Sequence, residues 1–331
     1  ETLREVPDAA LGYGDRSGAP ALRTALASYL GRARGVAAEP GDVVVCTGIT
    51  QAIAVLARAL RRSGVERIAV EDPGFPLHRM VLAREGLRVV PIPVDAGGIV
   101  VDGLDHADVG AVLITPSHQF PLGMALAPER RAALVDWAAA REAWILEDDY
   151  DGEYRFDRDP VGALQALAPA RVTYLGSASK TLAPALRLGW MVVAPDLLEA
   201  VADAKLLADS GSPQLEQLAL ARLIEHGELD RHLRKLRGSF RRRRDLLIGA
   251  LAEELSELAI EGIPAGLHVC GRLPADVPLG GLLARAWETG IGMYGFRHGD
   301  VDRVMLGYAN LPEPSVAPAV RTLAELVRAG S

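Results

Sequence analysis

Two rhythms of apolar residues alternate along the first two thirds of this chain. Short unbroken aliphatic and β-branched runs predict buried strands at residues 42–46 (DVVVC), 67–70, 87–93, 110–115 (GAVLIT), 144–147, 171–175 and 189–193. Between them, apolar residues recur at helical spacing. Leu22, Leu26 and Leu30 mark a helix over 19–30, and others are predicted from residue 49 to about 62, over 77–84 and over 128–141, the last with Pro128 in its first turn. Strand followed by helix, repeated in this way, predicts a mainly parallel sheet covered on both faces. Beyond Ser212 and Pro213 the texture changes. Long amphipathic stretches (213–226 and 228 to about 255) lead into short strands (266–273, 303–308) and helices (280–288, 314–328). The expected organisation is therefore a large α/β domain over 1–212, connecting helices over 213–255 and a smaller α+β domain over 256–331.

Composition changes this picture little. Of 331 residues, 49% are hydrophobic and 24% charged, with a net charge of −7, so the balance as a whole does not favour a polyanion. The basic run Arg241–Arg244 adjoins Asp245 on a predicted helix and reads as a solvated face. Cys46 and Cys270 lie far apart in apolar runs, which predicts buried thiols in a reducing compartment. No apolar run reaches the length of a membrane span and no signal peptide is visible, so a cytoplasmic location is expected. The chain opens at Glu1 without an initiator methionine, and the expectation is a domain taken from a longer protein or a start from which disordered residues are left out.

The chemistry gathers at predicted strand ends. Residues 172–190 read VTYLGSASKTLAPALRLGW: a strand, a run of small residues, then Lys180, with Arg187 seven positions on. A lysine among serines and hydrophobes suits an amine that condenses with an aldehyde once partly desolvated. Ser177, Ser179 and Arg187 suit a phosphate. Together these are the requirements of pyridoxal 5'-phosphate (PLP). Thr47-Gly48-Ile49-Thr50-Gln51 forms a strand–glycine–helix junction, where backbone N–H groups and the helix dipole favour phosphate. Phe75, held between Pro73 and Pro76, is an aromatic that could stack on a flat ring. Asp148-Asp149-Tyr150-Asp151 could bind magnesium with a substrate phosphate, hold a protonated pyridine nitrogen, or form a solvated acidic turn. No histidine or cysteine stands at ligand spacing beside them, so no metal is expected. Open α/β sheets bind ligands along the carboxyl edge of their strands, which would place these clusters and residues 117–120 on one crevice.

The order of these motifs resembles the fold-type I PLP proteins, the aspartate aminotransferase superfamily, over essentially the whole chain. LGYGDRSGAPALRTALASYL, TPSHQFPLGMAL, ILEDDYDGEYRF and GSASKTLAPALRLGW are similar to the aminotransferase-like effector domain of MocR-type, GntR-family bacterial transcriptional regulators. In those proteins a winged helix-turn-helix precedes this domain, and DNA contact would come only through that part. The resemblance implies that Lys180 forms the internal aldimine, that Asp148 (or its rival Asp149) pairs with the pyridine nitrogen, and that Tyr150 reaches the phenolic oxygen. It places Phe75 on the ring and Gly48, Ile49, Thr50, Ser177, Ser179 and Arg187 around the phosphate. Tyr13 would reach the phosphate of a neighbouring subunit, which implies a homodimer.

Two departures bear on activity. Phe120 stands where amino-transferring relatives carry the asparagine of an Asn-Pro-x-Gly turn. Met305 stands where their C-terminal arginine grips the substrate carboxylate; Arg303, two residues earlier on the same strand face, is a substitute to be tested. These features favour an effector and dimerisation domain that senses PLP or an amino compound. The other expectation is a working aminotransferase, with Lys180 as general base acting on an amino acid and a 2-oxo acid.

Overall fold

The structure is a computed structural model that describes residues 2–6, 10, 12–157 and 161–329, with the backbone alone for residues 2 and 3. Leu11, the first residue of the glycine-rich motif, lies outside the described residues. Eight strands build the first sheet: β1 (Val43–Cys46), β2 (Arg67–Asp72), β3 (Arg88–Asp95), β4 (Gly98–Ile99), β5 (Ala111–Ile114), β6 (Trp144–Asp148), β7 (Val172–Ser177) and β8 (Gly189–Val192). Their order is β1-β8-β7-β6-β5-β2-β3-β4. The stretch from β3 to β7 is parallel, while β8 runs antiparallel to both its neighbours and β4 is an antiparallel edge. A second, wholly antiparallel sheet has β9 (Ala259–Glu261), β10 (His268–Arg272), β11 (Tyr294–His298) and β12 (Val301–Gly307) in the order β11-β12-β10-β9.

The unbroken apolar runs are explained by helices on both faces of the first sheet. Side chains alternate along a strand. Val44 and Cys46 therefore pack with Ile53, Leu56 and Leu60 of helix Ile49–Arg62. Val43 and Val45 point the other way, to Leu22, Leu26 and Leu30 of helix Pro20–Arg34. Farther along that same face, Val112 and Ile145 meet Leu134 and Trp137 of helix Pro128–Ala140. Helix Glu228–Glu254 carries Phe240, Leu247 and Leu251 into a separate core with Val269, Val304 and Leu306 of the second sheet. Among the described residues no helix is long and apolar enough to cross a membrane.

Alternation also decides the fate of the acidic end of β6. Glu147 is fully buried and accepts the backbone N–H groups of Leu164 and Gln165, each at 2.8 Å. It thereby pins the segment leading into β7 under the sheet. Replacing it with leucine strands two buried amides. Glu147→Leu is expected to lower stability in urea unfolding by roughly 2–4 kcal/mol; unchanged stability would mean that those amides find other acceptors.

Candidate functional site

The carboxyl ends of β2, β5, β6 and β7 open into a cavity of about 900 Å3. Its walls include Glu71, Thr115, Asp148, Tyr150, Ser177 and Lys180 from the first sheet and the loops that follow its strands. The second sheet adds His268 and Met305, and helix Glu228–Glu254 adds His232, Phe240 and Arg243. Of the residues singled out from sequence, Ile49, Thr50, Phe75, Asp148, Tyr150, Ser177, Ser179, Lys180 and Arg187 all line this one space. Gly48 borders it through Arg187: a Cβ on Gly48 would lie 3.1 Å from Arg187 Nη2. Tyr13 does not join its own chain's wall and is 99% exposed.

Asp148 is 3% exposed, and its Oδ1 has no hydrogen-bond partner among the described residues. Its Oδ2 stands 3.7 Å from His78 Nδ1. Burial, with repulsion from Asp149, Asp151 and Glu71, raises the Asp148 carboxyl well above the usual carboxylate range. The His78 imidazole is pushed down to about 4 by burial, so it offers Asp148 a neutral ring and not a cation. The next residue has the opposite character. Asp149 accepts Arg34 Nε at 2.7 Å, Arg34 Nη2 at 3.0 Å and the Tyr174 hydroxyl at 2.7 Å. Asp149 is thus committed to the fold, and Asp148 is the carboxylate that faces the cavity.

At the opposite side, Gly48 takes a φ of 110°, a left-handed value that glycine tolerates, and opens helix Ile49–Arg62 without any side-chain cap. Its first N–H groups are left for solvent or an anion. Arg187, itself left-handed at φ 47°, lies against this end. Lys180 differs from the desolvated amine that its apolar flanks suggested. It is exposed, because the cavity is open, and its carbonyl accepts the Tyr154 hydroxyl at 3.0 Å. Phe75 meets Phe120 edge to face at 5.2 Å, so Phe120 puts an apolar ring beside the cavity floor.

Arg303 is not the missing cation. It bonds Glu261 at 2.7 Å and the His298 carbonyl at 3.0 Å, and it does not line the cavity, whereas Met305 does. Sequence reasoning missed Glu71, His78, Arg34 and Arg243. His268 lines the cavity too. Nor is the acidic cluster without histidine neighbours: folding brings His118 Nδ1 to 2.8 Å from Asp151 Oδ2, with His268 close by. These partners come from segments distant in sequence, and the signal lies only in the topology.

A model of the aminotransferase class I and II family matches residues 5–276. The chain belongs to that family. Within it, the chain is 34% identical over 317 residues to the HTH-type transcriptional regulator YhdI of Bacillus subtilis, covering 94% of this chain and 67% of that protein. It is 31% identical over 313 residues to the HTH-type pyridoxine biosynthesis transcriptional regulator PdxR of Corynebacterium glutamicum, covering 93% and 68%. The chain therefore spans about two thirds of the length of these regulators. Among solved structures, kynurenine aminotransferase of Pyrococcus horikoshii superposes with a TM-score of 0.88 at 26% identity, over 99% of this chain and 84% of that one. The fold is that of fold-type I aminotransferases, and members of the class I and II family are typically PLP-dependent.

The residues present fit such a cofactor. A buried carboxylate oxygen lacks a donor among the described residues, an uncapped helix start faces an arginine, and a lysine reaches the same space. Two outcomes follow for the cofactor-free chain. Asp149→Ala leaves Arg34 buried and unpaired and is expected to cost about 3–5 kcal/mol in urea unfolding, whereas Asp148→Asn removes a carboxyl with an orphan oxygen and is expected to cost little or to stabilise. Equal losses would refute this division of labour. Glu71, which accepts the Thr115 N–H and hydroxyl, is pushed up from 4.5 to about 7, chiefly by burial. A raised carboxyl stabilises fully below its unfolded value and loses that contribution as pH rises through its folded value. Stability should therefore fall between pH 4.5 and about 7, and Glu71→Gln should flatten that slope.

Proposed function

We propose that this chain is the PLP-binding effector domain of a helix-turn-helix transcriptional regulator and that it responds to PLP or to a small amino compound. The observation that carries the reading is the Asp148 oxygen, without a hydrogen-bond partner among the described residues, in the space that Lys180 and Arg187 also line. Bound there, PLP would supply an electron sink and an electrophilic carbon. Lys180 would hold it through its amine. Asp148 would accept the ring N–H, which removes the reason for its raised proton affinity. Phe75 would cover the ring, and Tyr150 would donate to the phenolic oxygen. Gly48, Ile49 and Thr50 at the helix start, with Ser177, Ser179 and Arg187, would hold the phosphate. Family members typically dimerise. Tyr13, exposed on its own chain, suits a role at a neighbouring subunit's phosphate in a homodimer.

Three features favour sensing over turnover. Phe120 offers no hydrogen bond beside Tyr150. Met305 offers no charge, and Arg303 is bound to Glu261. A ligand in the cavity would touch both sheets and helix Glu228–Glu254 at once. Such a ligand can favour one arrangement of these parts over another, the differential affinity on which a switch depends. DNA would be contacted by a part of the regulator outside this chain.

The second reading, an aminotransferase, is favoured by the family match and by Lys180 lining an open cavity. One set of measurements addresses both. Purified protein given PLP should absorb in the visible range, and borohydride should fix the cofactor's mass on Lys180 alone; Lys180→Ala should abolish the label. A chain that no added PLP tints or labels would sink the cofactor reading. Keto-acid release from a panel of amino acids should stay far below ordinary turnover of about 1–1000 per second; rates within that range would establish the enzyme instead.

A further inference from the structure

The Tyr150 hydroxyl lies 3.1 Å from His118 Nδ1, and the same nitrogen lies 2.8 Å from Asp151 Oδ2. His118 comes from the loop after β5; Tyr150 and Asp151 come from the loop after β6. His118 and Asp151 are each 2% exposed. The backbone packs tightly over the pair: a Cβ on Gly266, which has φ 73°, would lie 2.2 Å from His118 Cε1 and 2.5 Å from Asp151 Oδ2. Behind them, Asp151 Oδ1 and Arg155 Nη1 lack partners among the described residues. Both residues line a cavity of about 10 Å3, room for one water that would join them. From β10, the His268 ring lies 5.0 Å from the His118 ring. Burial pushes the His268 imidazole down to about 3, so it brings no competing charge. Asp148, Glu71 and Lys180 face the same region from the cavity side.

The proton on His118 follows from this geometry. A carboxylate only accepts, so the nitrogen facing Asp151 must carry hydrogen. A nitrogen that carries hydrogen cannot accept from Tyr150. The phenol oxygen therefore shares the Nδ1–H as a second acceptor, and its own O–H has two directions open to it: the Asp151 carboxylate, with which it also hydrogen-bonds, and an acceptor bound in the cavity. Burial and the neighbouring Asp151 and Asp148 carboxyls raise the Tyr150 phenol well above its ordinary value, so that proton is retained.

We infer that His118 and Asp151 form a positioning dyad that fixes Tyr150 as a hydrogen-bond donor to an anionic oxygen bound in the cavity. Phe120 provides no second donor there. The inference rests on the PLP reading given above, with the cofactor's phenolic oxygen as the acceptor.

The test is the pH midpoint of the bound cofactor's absorbance change. Tyr150→Phe removes the donor and should raise the midpoint by roughly one unit, the scale of one hydrogen bond to a charged group. His118→Phe and Asp151→Asn should move it in the same direction, and Asp151→Glu should restore most of the shift. On a Tyr150→Phe background, His118→Phe should add nothing further, because both act through one contact. An unchanged midpoint in His118→Phe, or a shift that persists undiminished on that background, overturns the dyad. Imidazole nitrogen resonances of the cofactor-free wild-type chain give a reading that needs no variant. They should show His118 protonated at Nδ1, and an unprotonated Nδ1 sinks the dyad alone. Stoichiometric zinc or iron that leaves with His118→Phe would replace the hydrogen bond by a metal and also overturn it. A wild-type chain that binds no PLP removes the acceptor, and with it both this inference and the reading beneath it.

Discussion

Two carboxylates end β6 and a third, Asp149, follows it directly; alternation along the chain gives them three fates. Glu147 turns into the core and holds the chain entering β7. Asp148 turns to the cavity and keeps an oxygen without a hydrogen-bond partner among the described residues. Asp149 turns back and is neutralised by Arg34, 115 positions earlier in the chain. A slip of one residue in the pairing of β6 with β5 and β7 would bury the wrong charge and expose the wrong acceptor. Two buried arrangements depend on this register. The Arg34–Asp149 pair is costly to desolvate and stands only because Tyr174, Ser117 and the Gly152 carbonyl complete its hydrogen bonds. Asp148 sits beside that neutralised pair with Lys180 acting on it only through space, too weakly to offset burial, so its proton affinity is free to answer to whatever enters the cavity.

The same register explains why the chemistry lies at one edge. In the parallel part of the sheet every strand presents its carboxyl end on the same side, and each must then turn into a helix or loop. The turns carry the polar residues, since the strands are buried along their length. Helix Ile49–Arg62 starts at that edge, so its uncapped end and Asp148 face one space from opposite sides. The second sheet and helix Glu228–Glu254 close over it. The remaining wall is therefore built from residues more than 50 positions beyond Lys180.

What could be read from sequence divides along this line. The buried strands were legible because a short unbroken apolar run between turn residues has to be covered on both faces, and most helices because Leu22, Leu26, Leu30 and their like repeat at the right spacing. The short strands β4 and β9 and the half-exposed β11 carry no such pattern, and helix Leu198–Asp209 was not distinguished from its surroundings. Convergence on one edge was legible from topology alone. Pairings were not. Arg303 shares a strand face with Met305, as the period demands, yet Glu261 on β9 captures its guanidinium. Arg34 lies beyond the helix expected over residues 19–30 and is buried. His118, Asp151 and His268 come from three loops or strands that local spacing cannot join.

These pairings also bear on the choice between enzyme and sensor. Moving a proton repeatedly on a bound amino acid requires the substrate to be held in one pose, and a carboxylate in an open cavity is held by a dedicated cation. Here Arg303 is bound to Glu261, Arg187 lies against the helix start, and Met305 is neutral. Arg243 does reach the wall from helix Glu228–Glu254, but it donates to the Ala309 carbonyl, and its Nε is buried without a partner among the described residues. On the reading proposed above, a cavity arranged in this way would hold a flat anionic ring with a phosphate, and its described residues offer little to orient a second molecule against it. Binding without orientation is enough to shift an equilibrium between two arrangements of the chain, and it is a poor basis for fast chemistry.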